Sequence, residues 1–165
     1  MNAHTANSGE RRFCTFYLGD ECYGIDILTV REINRQVQIT PARGAPAAVR
    51  GLMNLRGQIV TVIDPAVRLG YPAREQKKST RLVILKTNAD LASLGLGKLA
   101  THDELAGFWV DRISDVITVS EDQIAPAPPD QSGKNDHLLS AVVQQKDQVI
   151  RIVDPSALLR QGDTE

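Results

Sequence analysis

The chain has 165 residues, 24% of them charged and 42% hydrophobic, with a net charge of −1. That length makes one ordinary domain or two very small ones, and halves of about 80 residues would be marginal alone, so they are expected to share buried surface. Balanced charge without a basic run argues against a protein that lives on phosphate backbones, and no apolar stretch reaches the ~18 residues needed to cross a bilayer.

Residues up to Arg12 read as a disordered polar tail without the apolar core of a secretory signal. Residues 13–18, Gly19-Asp20-Glu21 and 22–26 read as strand, tight turn and strand. Cys14 and Cys22 flank that turn, and a chain without a signal is expected to keep them as free thiols. Residues 27–30 read as a helical turn started by Asp26. A strand follows from Glu32 and continues through 36–41. Residues 45–51 are expected as a short helix or turn, with Pro46 near the start and Gly51 at the end. Residues 52–63 form a hairpin with Arg56-Gly57 at its tip, because Gly57 takes positive φ at no steric cost. The apolar run 59–63 reads as a strand buried on both faces. Asp64-Pro65 caps a short helix that stops at Gly70.

Residues 71–79 are charged and turn-rich, and mark the boundary between halves. A strand over 81–86 and a long irregular piece over 87–106 follow. Residues 107–113 form a strand leading into a helical turn. Phe108 and Trp109 are adjacent on it and must face opposite ways, one into the core and the other part-exposed or on a partner. Residues 125–136 are a Pro/Gly/polar loop, 138–153 a final hairpin, and Pro155 opens a helical turn. Many short strands with hardly any long helix point to small barrels.

The chain is also written twice. Gln58, Ile63-Asp64-Pro65 and Gly70 match Gln148, Val153-Asp154-Pro155 and Gly162. Ile39-Thr40-Pro41 matches Ile124-Ala125-Pro126, and Val30-Arg31-Glu32-Ile33 matches Ile113-Ser114-Asp115-Val116. The offsets run from roughly 83 to 92 residues, which predicts a duplicated β unit.

The sequence carries no catalytic constellation. His4, His102 and His137 have no metal-ligand spacing around them, and His102-Asp103-Glu104 reads as a solvated loop. There is no G-x-S-x-G, Walker A or H-E-x-x-H motif, and Gly95-Leu96-Gly97 lacks the strand-to-helix context of a phosphate loop. Asp64 and Asp154 share an Asp-Pro context that makes them helix caps. Neither enzyme activity nor a cofactor or metal is expected.

Five segments carry a resemblance: Tyr17-Leu18-Gly19-Asp20-Glu21, Tyr23-Gly24-Ile25-Asp26-Ile27, Val30-Arg31-Glu32-Ile33, Val49-Arg50-Gly51 and Asn54-Leu55-Arg56-Gly57. With Ile39-Thr40-Pro41 and Pro46 in the first half, and Gly107, Val110-Asp111, Ile113, Asp115-Val116, Ile124 and Pro126 in the second, they resemble the CheW family of bacterial chemotaxis coupling proteins. The resemblance implies a mostly β fold of two pseudo-symmetric, five-stranded SH3-like β-barrels packed together, with short helical turns. A single CheW-like domain would span 13–160, with a first barrel over about 13–70, a second over about 80–160, strand exchange between them allowed, and a tail over 161–165.

It further implies a non-enzymatic adaptor in the cytoplasm, associated with membrane-anchored receptor arrays. The partners would be a chemoreceptor tip, seated in the groove between barrels, and the regulatory domain of a CheA-type histidine kinase, paired with barrel ends. No nucleic acid and no direct membrane insertion is expected. The receptor-binding positions carried over are Val30, Glu32, Gly51, Arg56, Gly107 and Ile113. Val30 and Ile113 read equally well as core, and Gly51 and Gly107 as conformational necessities. Arg56 is expected to pair with Glu32 and fix the hairpin against the neighbouring strand. The segment 87–106 is longer than the family leads one to expect, and Ser140-Ala141 stands near a usual Gly. The alternatives are an adaptor of a parallel pathway controlling pili or surface behaviour, a barrel that binds single-stranded nucleic acid, which needs a basic, aromatic-lined groove, and a sensor with an apolar ligand pocket.

Overall fold

The computed structural model describes residues 9–128 and 137–160. The first half holds β1 (Glu10–Leu18), β2 (Glu21–Asp26), a 3-10 turn (Ile27–Thr29), β3 (Val30–Asn34), β4 (Val49–Leu55), β5 (Gln58–Ile63) and helix α1 (Pro65–Arg68). The second holds β6 (Arg81–Leu85), helix α2 (Asn88–Ser93), β7 (Ala106–Val110), β8 (Arg112–Ser120), a 3-10 turn (Glu121–Gln123), β9 (Ile124–Pro126), β10 (Leu139–Gln145), β11 (Gln148–Val153) and helix α3 (Pro155–Leu159).

The strands form two sheets, β3-β6-β7-β5-β4 and β8-β1-β2-β11-β10-β9. These are the two SH3-like barrels, and neither is made from one continuous half of the chain. The β1–β2 hairpin of the first half joins β8–β11, and the β6–β7 hairpin of the second joins β3–β5. Each visiting hairpin docks through a short parallel seam, Ile152 opposite Gly24 in one barrel and Val62 opposite Gly107 in the other. Below, the first barrel is the one built on β3–β5 and the second the one built on β8–β11.

The duplication is visible residue by residue. Val49 faces Ile63 and Leu55 faces Gln58 in one hairpin, and Leu139 faces Val153 and Gln145 faces Gln148 in the other, 90 residues on. Both first strands carry a bulge, after Val49 and after Leu139. Thr40 bridges Leu52 as Ala125 pairs with Val142, so β9 is the longer form of what is a lone bridge in the first barrel. This adds a sixth strand to the second barrel, where five had been expected.

Burial explains the exchange. Strands β6 and β7 are buried along nearly their whole length, as are the central residues of β1 and β2, whereas β4 and β10 alternate. The visiting hairpins turn one face into a barrel interior and the other into a core shared by both barrels. Cys14, Phe16, Tyr23 and Ile25 meet Ile63, Val83, Leu85 and Phe108 there. Separate clusters fill the interiors, with Met53, Val60, Leu82 and Trp109 in the first and Phe13, Val143 and Ile150 in the second. Each large apolar side chain so buried contributes about 1.5–3 kcal/mol, so much of the stability lies where neither half alone could supply it.

Several local expectations are corrected. Strand β1 begins at Glu10, inside the supposed tail, because Arg11 and Arg12 pair with Val119 and Thr118. Residues 36–39 are irregular, since β3 ends at Asn34, whose side chain accepts the Gln36 N–H at 2.7 Å. Arg50 and Gly51 lie in β4, not in a helical turn. Ile59 is 58% exposed and only the far end of β5 is covered on both faces. The irregular piece contains α2, started by a Thr87–Asp90 capping box. No helical turn follows β7; Asp111 alone separates it from β8. Ala125 and Pro126 belong to β9, while 129–136, 1–8 and the 161–165 tail lie outside the described residues. Phe108 and Trp109 do face opposite ways, but both are fully buried, because a layer of protein covers each face of β7. Cys14 faces the shared core and Cys22 the second barrel's interior, and both are free. Burial raises both thiol pKa values, which keeps them unreactive.

Candidate partner-binding surface

The tip of the β4–β5 hairpin turns on Arg56 and Gly57, with φ of 50° and 88°. Positive φ at both central residues makes a two-residue turn whose twist matches its strands. Asn54 Oδ1 accepts the Gly57 N–H at 2.9 Å and closes the turn. The Arg56 guanidinium, so projected, pairs with Glu32 on β3. Beside it Arg31 Nη2 donates to Gln58 Oε1 at 3.2 Å. Two side-chain ties therefore hold the edge strand β3 against the hairpin. Arg56 remains 65% exposed and Glu32 27%, so solvent limits the pair to ~0–1 kcal/mol of stability; what it does is fix geometry.

The other four expected positions fall elsewhere. Gly51 is buried in the β4 bulge with φ of 147°, and a Cβ there would stand 2.1 Å from the Thr40 carbonyl oxygen. Gly107 lies at the parallel seam, where a Cβ would meet Ile84 Cδ1 at 2.9 Å. Gly24, its counterpart 83 residues earlier, would meet Ile152 Cδ1 at the same distance. The Thr40 backbone requires glycine at 51, whereas at 24 and 107 the nearest atom is the flexible end of an isoleucine. Val30 and Ile113 are half-buried and pack on the margin of the shared core, one from each barrel. Thus Glu32 and Arg56 come together with Val30 two residues away along β3, while Ile113 sits across the barrel junction.

A model of the CheW-like domain matches residues 12–163. The chain belongs to the CheW-like family. It is 30% identical to the chemotaxis protein CheW of Helicobacter pylori, over 90% of this chain and 81% of that protein. It is also 30% identical to CheW of Bacillus subtilis, over 92% and 88% respectively. The crystal structure of the scaffolding protein TtCheW from Thermoanaerobacter tengcongensis superimposes with a TM-score of 0.76 at 30% identity, covering 92% of this chain and 94% of that one.

This CheW-like chain carries a further feature that the sequence reading missed. Two pairs of its exposed large apolar residues stand at equivalent places in the two barrels. Ile33 and Ile59 in the first barrel, 40% and 58% exposed, correspond to Val116 and Val149 in the second, 48% and 44% exposed. The signal was present in the sequence, since Ile33 and Val116 close the matched segments, but exposure cannot be told from apolarity alone. Leu52, 40% exposed, lies on the same outer face of the β4–β5 hairpin as Ile59. In the described residues no helix is long and apolar enough to cross a membrane.

Proposed function

We propose that the protein is a non-enzymatic adaptor that couples chemoreceptor tips to a CheA-type histidine kinase, working in the cytoplasm at membrane-anchored receptor arrays. The observation that carries this reading is the repetition of exposed apolar residues, Ile33 with Ile59 and Val116 with Val149, on both barrels of a CheW-like fold. A bridging protein needs two docking faces, and a duplicated barrel supplies them. Apolar residues ringed by polar ones are the usual centre of a protein interface. The kinase regulatory domain would take barrel ends. The receptor tip would take the groove between barrels, along Val30 and Ile113, with Glu32 and Arg56 holding the first barrel's side of it in shape and Gly51 and Gly107 setting the backbone beneath.

A binding titration of the full chain against the kinase regulatory domain of the same organism, with and without a receptor-tip fragment, tests this. Binding of both partners at micromolar strength or better, and formation of the three-component complex, is expected. A folded sample that binds neither overturns the functional reading while leaving the fold intact.

A further inference from the structure

We propose that the connector 71–79 is a strap that locks the two barrels in one orientation, with Arg74 as its latch. In sequence it looks like a linker, and it contains no helix or strand. Its side chains nonetheless touch both barrels. Tyr71 places its hydroxyl 3.4 Å from that of Tyr23 on β2 of the second barrel. Gln76 Nε2 donates to the Val37 carbonyl of the first at 3.0 Å. Ser79 Oγ donates to the carbonyl of Asp111, the single residue at which the chain crosses from the first barrel to the second.

Arg74 is at the centre. Its Nε donates to both carboxylate oxygens of Asp111 at 2.9 Å, and its Nη1 lies 3.4 Å from Asp64 Oδ1, the cap of α1. The Asp111 carboxylate also accepts the N–H of Gly19 at 2.5 Å, in the β1–β2 turn of the second barrel. One guanidinium thus links the end of β5 to the visiting hairpin of the other barrel. Arg50, re-aimed by the β4 bulge, completes the latch. It donates to Asp64 Oδ2 at 3.0 Å and to the Arg74 carbonyl, and stacks 3.6 Å from the Trp109 ring centroid, with the Arg74 guanidinium 5.2 Å from the same ring. Two arginines balance two aspartates, so the cluster is neutral as a set, although Arg74 Nη2 and Trp109 Nε1 are buried in it without a hydrogen-bond partner among the described residues.

The asymmetry of the duplication singles this cluster out. The residues 90 positions after Arg50 and 83 before Trp109 and Asp111 are Ser140, Asp26 and Leu28, so only Asp64 has its counterpart, Asp154. Barrel packing requires what is repeated; this set is present once, at the crossing. The strap does not depend on which partners the barrels bind.

The test is native-state hydrogen exchange on the full chain with Arg74→Met, together with emission from Trp109, the one tryptophan. Release of the latch is expected to speed exchange of the Gly19–Glu21 turn and of 71–79 by about ten-fold or more, while the β4–β5 and β10–β11 amides are unchanged. Trp109 emission is expected to shift to the red. Arg74→Lys, which keeps the charge but loses the planar fork, is expected to behave like Arg74→Met. Unchanged exchange in the turn overturns the proposal. So does equal acceleration in every strand, because Arg74 would then contribute only to global stability. If Arg74→Met does not fold, Tyr71→Phe decides: it removes only the hydroxyl contact, is expected to speed the same amides by a smaller factor, and overturns the strap if it speeds none.

Discussion

The two hairpins of this molecule are copies, yet their tips differ. In the first barrel Arg56 reaches Glu32 and ties the hairpin tip to the edge strand, while an open cleft of about 400 Å³ lies farther along the same hairpin beside Met53, Asn54 and Leu55. At the equivalent positions of the second barrel stand Lys146, also at positive φ (54°), and Asp115. Among the described residues these two form no ion pair, and an open cleft of about 290 Å³ lies between them, floored by Thr15, Cys22 and Ile150. An acid and a cation at matched positions are thus paired in one barrel, as Glu32 and Arg56, and stand apart in the other, as the shorter Asp115 and Lys146. Arg can bridge as a planar fork where Lys offers a point charge on a flexible stem. Duplication fixed the scaffold, and side-chain choice at the tips has since separated the two ends.

The largest expected effect sharpens a contrast in the bulges. Gly51→Ala is expected to cost about 3 kcal/mol, from positive-φ strain and from the Thr40 carbonyl in the way of the new methyl. The equivalent residue of the second barrel is already Ala141, so Ala141→Gly is expected to cost less than about 1 kcal/mol. Urea denaturation of both variants measures the difference, and equal costs would mean the two bulges are conformationally alike. Next are the seam glycines. Gly24→Ala and Gly107→Ala each push on the flexible end of an isoleucine and are expected to cost about 1–2 kcal/mol apiece. Costs differing by more than about 1 kcal/mol would break the equivalence of the seams.

Smaller effects belong to the tips. Lys146→Gly relieves left-handed strain without losing an ion pair and is expected to stabilise by about 0.5–1 kcal/mol. Arg56→Gly gains less, because it gives up Glu32; the order of the two midpoints is the readout. Smallest is the coupling in double-mutant cycles, ~0–1 kcal/mol for Glu32 with Arg56 and about zero for Asp115 with Lys146. Coupling of the second pair as strong as that of the first would show that the open tip closes in solution.

What the sequence made legible was local or repeated. The Asp64 and Asp154 caps, the Arg56-Gly57 turn and the doubled hairpins follow from short-range chemistry, and the Glu32–Arg56 pair from the family resemblance. The Thr87–Asp90 capping box was equally local and could have revealed α2. The exchange of hairpins was not legible, because nothing within 13–26 states which later strand it will join. Its trace is the continuous apolar character of 82–85 and 106–110, which marks strands covered on both faces; 59–63 has the same look but leaves Ile59 in solvent. The expectation that one of Phe108 and Trp109 would be part-exposed failed for the same reason, since Trp109 is covered by the first barrel's interior together with Arg50 and Arg74, distant in sequence.

The most direct test of a two-ended adaptor with unlike ends is a side-by-side titration of the receptor-tip fragment and the kinase regulatory domain against wild type, Arg56→Ala and Lys146→Ala. Arg56→Ala is expected to weaken receptor binding selectively, with kinase binding kept, and Lys146→Ala to leave receptor binding as in wild type. Equal loss of receptor binding in both variants, or no loss in either, would contradict the assignment of the paired first-barrel corner to the receptor.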